Sequence, residues 1–310
     1  MSNFPKRKGS RRWKPSFRTG GWARFILSVL LIATTIWAGE EKKSPSRSWL
    51  TAPNRVIGLR TAYLHPMKAR TVLIHWGYEF RDDWIAPVSE LRGNLNRYGV
   101  LGVEFYLSEN VSLRVRGIIH QVLHPEALPG GMAALESARD VGDFTITTLA
   151  QLVAAGKYHP AIGLRLSTTL PNTNQDRGLG PNTTDITLAI VLTHRIAGLT
   201  VFSDVGVAIL AAPQLPNVQN DVLAYGLGLM WQLHPRLLLS AEVNGIHSTR
   251  RFIPRGTEDR SLARVGVTWR LPYVSVEIFP THGLLEREGK WGVLIEANWQ
   301  LNLLSRRGKP

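Results

Sequence analysis

Trp291-Gly292-Val293-Leu294-Ile295-Glu296-Ala297-Asn298-Trp299-Gln300-Leu301 decides how this chain folds. The odd-numbered positions are all apolar, and Glu296, Asn298 and Gln300 fall between them. A period of two belongs to a β-strand, whose successive side chains point to opposite faces. One face of this strand is hydrocarbon, and the other carries charge and amide groups.

The same alternation recurs upstream. In Arg70–Phe80, Val72, Ile74, Trp76, Tyr78 and Phe80 share a face, while Thr71, His75, Gly77 and Glu79 share the other. Ile186, Leu188, Ile190 and Leu192 repeat the pattern, as do Leu199, Val201, Val205, Val207 and Ile209. Strand segments are expected at 70–80, 97–107, 110–121, 142–153, 159–170, 183–195, 198–210, 220–233, 235–247, 260–270, 272–280 and 290–303. Each is close to the roughly 9–11 residues that a tilted strand needs to cross a bilayer.

Alternation alone would also fit a soluble sandwich with its apolar face inside. The connections separate the two cases. Long stretches (81–96, 122–141, 171–182, 211–219, 248–259, 281–289) alternate with short turns at Ser108-Glu109, Ala154–Tyr158, Ile196-Ala197, His234 and Leu271-Pro272. Short turns on one side and long loops on the other are the habit of outer-membrane barrels. Outward aromatics gather at both ends: Phe80, Phe144 and Trp291 on the loop side, Phe105, Trp231 and Trp269 on the turn side. Interfacial girdles favour such rings. The fold expected over 70–304 is therefore all-β: a twelve-stranded antiparallel up-and-down transmembrane β-barrel.

Composition excludes several other classes. Of 310 residues, 19% are charged and 44% hydrophobic, which rules out wholesale disorder. There is no cysteine, so disulfide frameworks and thiol chemistry are absent. The net charge of +14 is misleading, because eight basic residues and no acid lie in 1–38. Removing those eight, and Arg306, Arg307 and Lys309 of the tail, leaves +3 for the body. No basic stripe remains to hold a nucleic acid.

The basic N-terminus leads into Phe25–Ala38, a short apolar run followed by Gly39, Glu40 and Glu41. This is the pattern of a signal peptide over 1–38, cleaved at Ala38 or Gly39. Arg11-Arg12 offers a twin-arginine route as an alternative, and retention as an uncleaved anchor is another. Residues 39–69 are expected to form a periplasmic N-terminal segment, of which 44–69 either plug the lumen or hang in the periplasm, and 305–310 a basic C-terminal tail.

Several short pieces also carry a family resemblance. They are Thr61-Ala62-Tyr63, Asn110-Val111-Ser112-Leu113-Arg114-Val115-Arg116-Gly117 and Val141-Gly142-Asp143. Pro160-Ala161-Ile162-Gly163-Leu164-Arg165, Leu170-Pro171 and Gly178-Leu179-Gly180 leading to Asp185 follow in order. Together they resemble the MetA-pathway phenol-degradation-type outer-membrane β-barrel transporter family. The resemblance implies a single barrel in the bacterial outer membrane that passes small molecules. The chain departs from the usual barrel ending, because Leu304 is followed by the basic tail and not by a terminal aromatic.

The inward faces carry the candidates for solute contact: Glu104, Arg114, Arg116, Arg165, Asp204, Glu242, Arg264, Glu277 and Glu296. Glu104 is expected opposite Arg114, Glu277 opposite Gly266, and Glu242 opposite Gly226. Inward glycines, among them Gly77, Gly102, Gly226, Gly228 and Gly266, read as open space for a narrow pore. No nucleophile elbow, P-loop or dinucleotide fingerprint occurs, so no catalytic residue and no cofactor is assigned. His120 and His124 are four residues apart but lack a helix to align them on a metal. The expected function is a passive channel for a small solute, hydrophobic or aromatic ones included. The alternative is a non-conducting barrel that displays surface loops, closed by its own salt bridges or by loop 122–141. The expected partners are outer-membrane lipid, the solute and the barrel-assembly machinery, with oligomeric state left open.

Overall fold

The computed structural model describes residues 50–126, 136–215 and 217–303. The leader expected over 1–38, residues 39–49 and the tail over 305–310 lie outside the described residues, as does 127–135 of the second long loop. The strands are β1 (Leu50–Thr51), β2 (Thr71–Ile85), β3 (Arg92–Tyr106), β4 (Val111–Pro125), β5 (Ala138–Asp140), β6 (Phe144–Val153) and β7 (Ala161–Leu170). They continue as β8 (Asp185–Ile196), β9 (Leu199–Ala211), β10 (Gln219–His234), β11 (Leu237–His247), β12 (Arg260–Arg270), β13 (Ser275–Gly283) and β14 (Trp291–Asn302).

β1 and β5 are short edge pieces. The other twelve strands are antiparallel neighbours in sequence order, and β14 pairs back onto β2 from Gly292↔Arg81 to Asn302↔Thr71. The sheet closes, which removes the free edges that a membrane core cannot satisfy. β13 starts at Ser275, opposite Asn298, and β1 covers the remaining edge of β14 at Gln300 and Leu301.

Exposure separates the barrel from a sandwich. Ile190 is 53% exposed, Val207 54% and Leu227 61%, whereas Glu104, Asp204, Glu242, Arg264, Glu277 and Glu296 are all buried. A water-soluble domain would invert that arrangement, because continuous apolar surface this wide is not left uncovered. The apolar face is therefore the outer face of the barrel. At its loop-side rim the rings of Phe80 and Trp291 pack 5.1 Å apart.

All twelve expected spanning segments are strands, with two kinds of correction. β2, β3 and β4 each run 15 residues, so the first long connection shrinks to residues 86–91. Their ladders outlast the apolar alternation because polar side chains pair beyond it. Asp83 is gripped by Arg92, and Lys290 lies 2.9 Å from the same carboxylate. Register is the second correction. Glu104 does face Arg114, but Glu277 faces Thr268 and Glu242 faces Gly228. The β12–β13 turn occupies 271–274, closed by Leu271 N–H to the Val274 carbonyl at 2.9 Å, which slides β13 by two residues. At the β10–β11 turn, an irregularity between Gln232 and His234 does the same.

Candidate functional site

The lumen is not empty. Residues 52–69, for which the sequence leaves both a plug and a periplasmic position open, run inside the barrel and join the wall where β2 begins. Val56, Leu59 and Tyr63 pack among Val100, Phe202, Met230, Leu238, Phe279 and Leu294 of the wall. Ile57 and Met67 meet Leu73 and Tyr106, and Leu64 meets Ala161 and Val191. Burial of these side chains anchors the segment hydrophobically.

An irregular segment in a low-dielectric interior must still satisfy its backbone N–H groups. Inward acids do this from strand after strand. Ile57 and Gly58 donate to the Glu277 carboxylate at 3.0 and 2.7 Å. Arg60 and Thr61 donate to Glu242 at 3.0 and 2.8 Å, and Ala62 to Asp204 Oδ2 at 2.9 Å. Leu64 donates to Thr193 Oγ1 at 2.8 Å. In return Arg264 Nη1 donates to the Gly58 carbonyl at 2.8 Å, and Arg270 Nη2 to that of Asn54 at 2.6 Å. Hydrogen bonds to ionised groups are about twice as strong as neutral ones.

The remaining charges interlock around the segment. Glu104 holds Arg114 at 2.6 Å and Arg55 of the segment at 3.1 Å, and Arg55 also donates to Tyr106 and stacks over Tyr63. Arg116 pairs with Glu296 at 2.7 Å, and Arg165 with Asp204 at 3.0 Å. The hub is a residue without a candidate role in the sequence, Glu79, which gathers Arg81 at 2.9 Å, Arg97 at 3.0 Å, Arg60 at 3.4 Å and Arg264 at 3.7 Å. Its place on the inward face of the first strand was the available signal. Glu296 sits directly opposite Glu277, and its Oε2 has no hydrogen-bond partner among the described residues.

The inward glycines do not leave open space. A Cβ at Gly102 would overlap the His75 ring, one at Gly266 the Phe279 ring, and one at Gly228 the Phe202 ring. At Gly226 it would lie 2.6 Å from Thr61 of the internal segment. His120 and His124 are not brought together: His120 stacks on Tyr98, and His124 bonds Ser137.

Space does remain beside the segment, and among the described residues it includes three cavities in series. A turn-side chamber of about 590 Å³ is bounded by Arg55, Tyr63, Ala154, Gly198 and Arg270. A small central cavity of about 70 Å³ shares Arg55 and Tyr63 with it and adds Glu104, Arg114 and Thr147. A loop-side cavity of about 240 Å³ shares Arg60, Thr61 and Arg165 with the central one and reaches Asn244 and Arg260. Adjacent cavities thus share lining side chains. Of the nominated residues, Glu104, Arg114, Arg165 and Asp204 border these cavities, while Glu242, Arg264, Glu277 and Glu296 are taken up by the segment and by one another. Above them the loops tie together: Ser89 N–H meets the Gly178 carbonyl at 3.2 Å, and Arg287 bridges Glu90 and Glu258 at 2.9 and 3.0 Å.

No protein-family model and no curated protein sequence matches the chain. Solved structures do. A Pseudomonas aeruginosa FadL homologue is 8% identical, with 76% of this chain and 91% of that one covered and a TM-score of 0.35. The Pseudomonas putida toluene transporter TodX is 6% identical, with 74% and 88% covered and a TM-score of 0.35. A COG4313 outer membrane channel from Pseudomonas putida F1 is 15% identical, covers 80% of this chain and 99% of its own, and has a TM-score of 0.53. At that level the likeness is one of fold, and the fold shared is a barrel found in an outer membrane channel.

Proposed function

We propose that the chain is a passive outer-membrane channel for a small solute, and that the route runs beside the internal segment. The observation that carries this reading is the series of three cavities from the turn side to the loop side, each sharing lining side chains with the next. A barrel of about eight strands is filled by its own side chains, whereas twelve staves enclose more than one segment can occupy. Lipid surrounds the apolar belt, and the barrel-assembly machinery is the partner that inserts it. The route uses no cofactor or energy source, and Arg55 and Arg60, which line adjacent cavities, are the side chains that must move for a solute to pass. Glu104, Arg114, Arg165 and Asp204 set the field along it.

The tightness of the internal segment favours a second reading, a closed barrel that displays its tied loops. Single-channel recording of the purified chain in a planar bilayer separates the two. Stable conductance steps support the channel. Silence from a barrel whose gel mobility still changes on boiling supports the closed scaffold.

A further inference from the structure

The lumen sorts its charges. Glu242 and Glu277 face the internal segment and spend their oxygens on its N–H groups, and Glu296 lies beside them. The three cavities lie along the other side, where the walls are basic. The turn-side chamber holds Arg55, Arg195 and Arg270 and no acid. The central cavity sets Arg55, Arg60, Arg114 and Arg165 against Glu104 alone. The loop-side cavity sets Arg60, Arg165 and Arg260 against Asp204 and Glu288.

The acids on this route are each paired with an arginine, so the charge left over is that of the arginines in excess. Glu104 pairs with Arg114 at 2.6 Å, Asp204 with Arg165 at 3.0 Å, and Glu288 with Arg81 at 3.5 Å. Among the described residues Arg195, Arg260 and Arg270 form no ion pair. Arg270 is fixed on the Asn54 carbonyl, a contact that orients its charge without cancelling it. Fixed charge of one sign in a low-dielectric cleft raises the local concentration of the opposite ion. The chamber also presents Leu64, Met230 and Leu238, and its volume lies within the range of small-molecule sites.

Resting on the passive-channel reading, we infer that the solute class is organic anions with an apolar body, such as arene or alkyl carboxylates. The carboxylate follows the arginines from Arg195 and Arg270 to Arg165 and Arg260, and the apolar body rests on Leu64 and Met230.

The test uses the full chain in planar bilayers under a potassium chloride gradient, with chloride then replaced by benzoate, or potassium by benzylammonium. The expected result is a reversal potential on the chloride side, with benzoate carrying current and benzylammonium carrying little. Arg195 is exposed at the end of β8, so Arg195→Glu leaves the barrel intact. For an ion passing at one Debye length, about 8 Å, reversing that charge lowers the anion-to-cation ratio roughly threefold. Steps with equal or cation-favouring permeability overturn the inference and leave the channel standing. An unchanged ratio in both Arg195→Glu and Arg165→Gln overturns the route assigned to the anion. Silence from a heat-modifiable barrel overturns the channel reading and this inference with it.

Discussion

Glu242→Ala tests whether inward carboxylates hold the internal segment. The side chain is 3% exposed and accepts from Arg60 N–H at 3.0 Å and Thr61 N–H at 2.8 Å, with Arg264 at 3.7 Å. Truncation strands two donors in a water-poor interior, each worth about 1–3 kcal/mol. It also removes one of the two carboxylates beside a buried guanidinium, and breaking such a pair costs about 3–5 kcal/mol on its own. These costs overlap, because Arg264 keeps Glu79 at 3.7 Å and the freed space admits water. A net loss of about 3–5 kcal/mol in the seating of the segment remains, a shift of roughly a hundredfold to a few thousandfold in its opening. The chain has no cysteine, so Ala62→Cys is a unique label site next to the weakened contact. A charged thiol reagent is expected to modify Cys at that position at least about a hundredfold faster in the Glu242→Ala background. Boiling must still change gel mobility in both proteins. Equal labelling rates in two intact barrels would refute the argument that these carboxylates fasten the segment.

Three further outcomes follow from the same geometry. Ile190→Arg places a charge on the lipid face near the middle of β8 and is expected to cost about 2–4 kcal/mol in denaturant titration of the bilayer-inserted barrel; no change would mean that this face does not meet hydrocarbon. Gly102→Ala drives a methyl group into the His75 ring and is expected to cost about 1–3 kcal/mol, and His75→Ala in the same chain should recover most of that loss. His65 lies in the internal segment, where burial, reinforced by Arg55 and Arg270, pushes it down to about 4. A folded value below the ordinary one near 6.5 means that the segment gains stability above pH 6.5 and loses it as pH falls toward 4. Conductance should therefore rise on acidification through that window, and His65→Gln should flatten the response; an identical response in the variant removes His65 as its source.

The wall was legible because a membrane barrel writes its two solvents into alternate residues. Trp291–Leu301 carries the period without a fault, and the structure pairs that stretch with both of its neighbours. Loop rhythm then chose barrel over sandwich, which exposure bears out at Ile190, Val207 and Leu227. Register was readable only across the turn at Ser108-Glu109, where strand ends were clear. At Leu271–Val274 and at Gln232–His234, one or two residues of turn or bulge moved every pair, and a period of two carries no information about such shifts.

The contents of the lumen were illegible for a different reason. Residues 52–69 have apolar side chains at 56, 57, 59, 63, 64 and 67, a spacing that would lie on one side of a helix, but Gly58 and Pro66 interrupt it and the segment is irregular, so the period does not reveal that it fills the lumen. Their partners sit up to 220 residues away, on inward acids that read as available to a solute. Glu277 illustrates this: its cross-strand neighbours are Thr268 and Glu296, neither of which can neutralise it. Such an acid reads as a pore lining, yet a carboxylate in a narrow barrel needs donors whether or not a solute passes. Backbone N–H groups of an irregular segment supply them without any signature in their own side chains. The same logic reverses the reading of the glycines. A missing Cβ opposite Phe202, Phe279 or His75 is room already claimed by a ring, and the composition of one strand cannot say which neighbour claims it. An inward acid with no base directly across the sheet, as at Glu277 and Asp204, is thus a sign of something held inside a barrel, and together with Glu242, which faces Arg264, these two trace the course of the segment from Ile57 to Ala62.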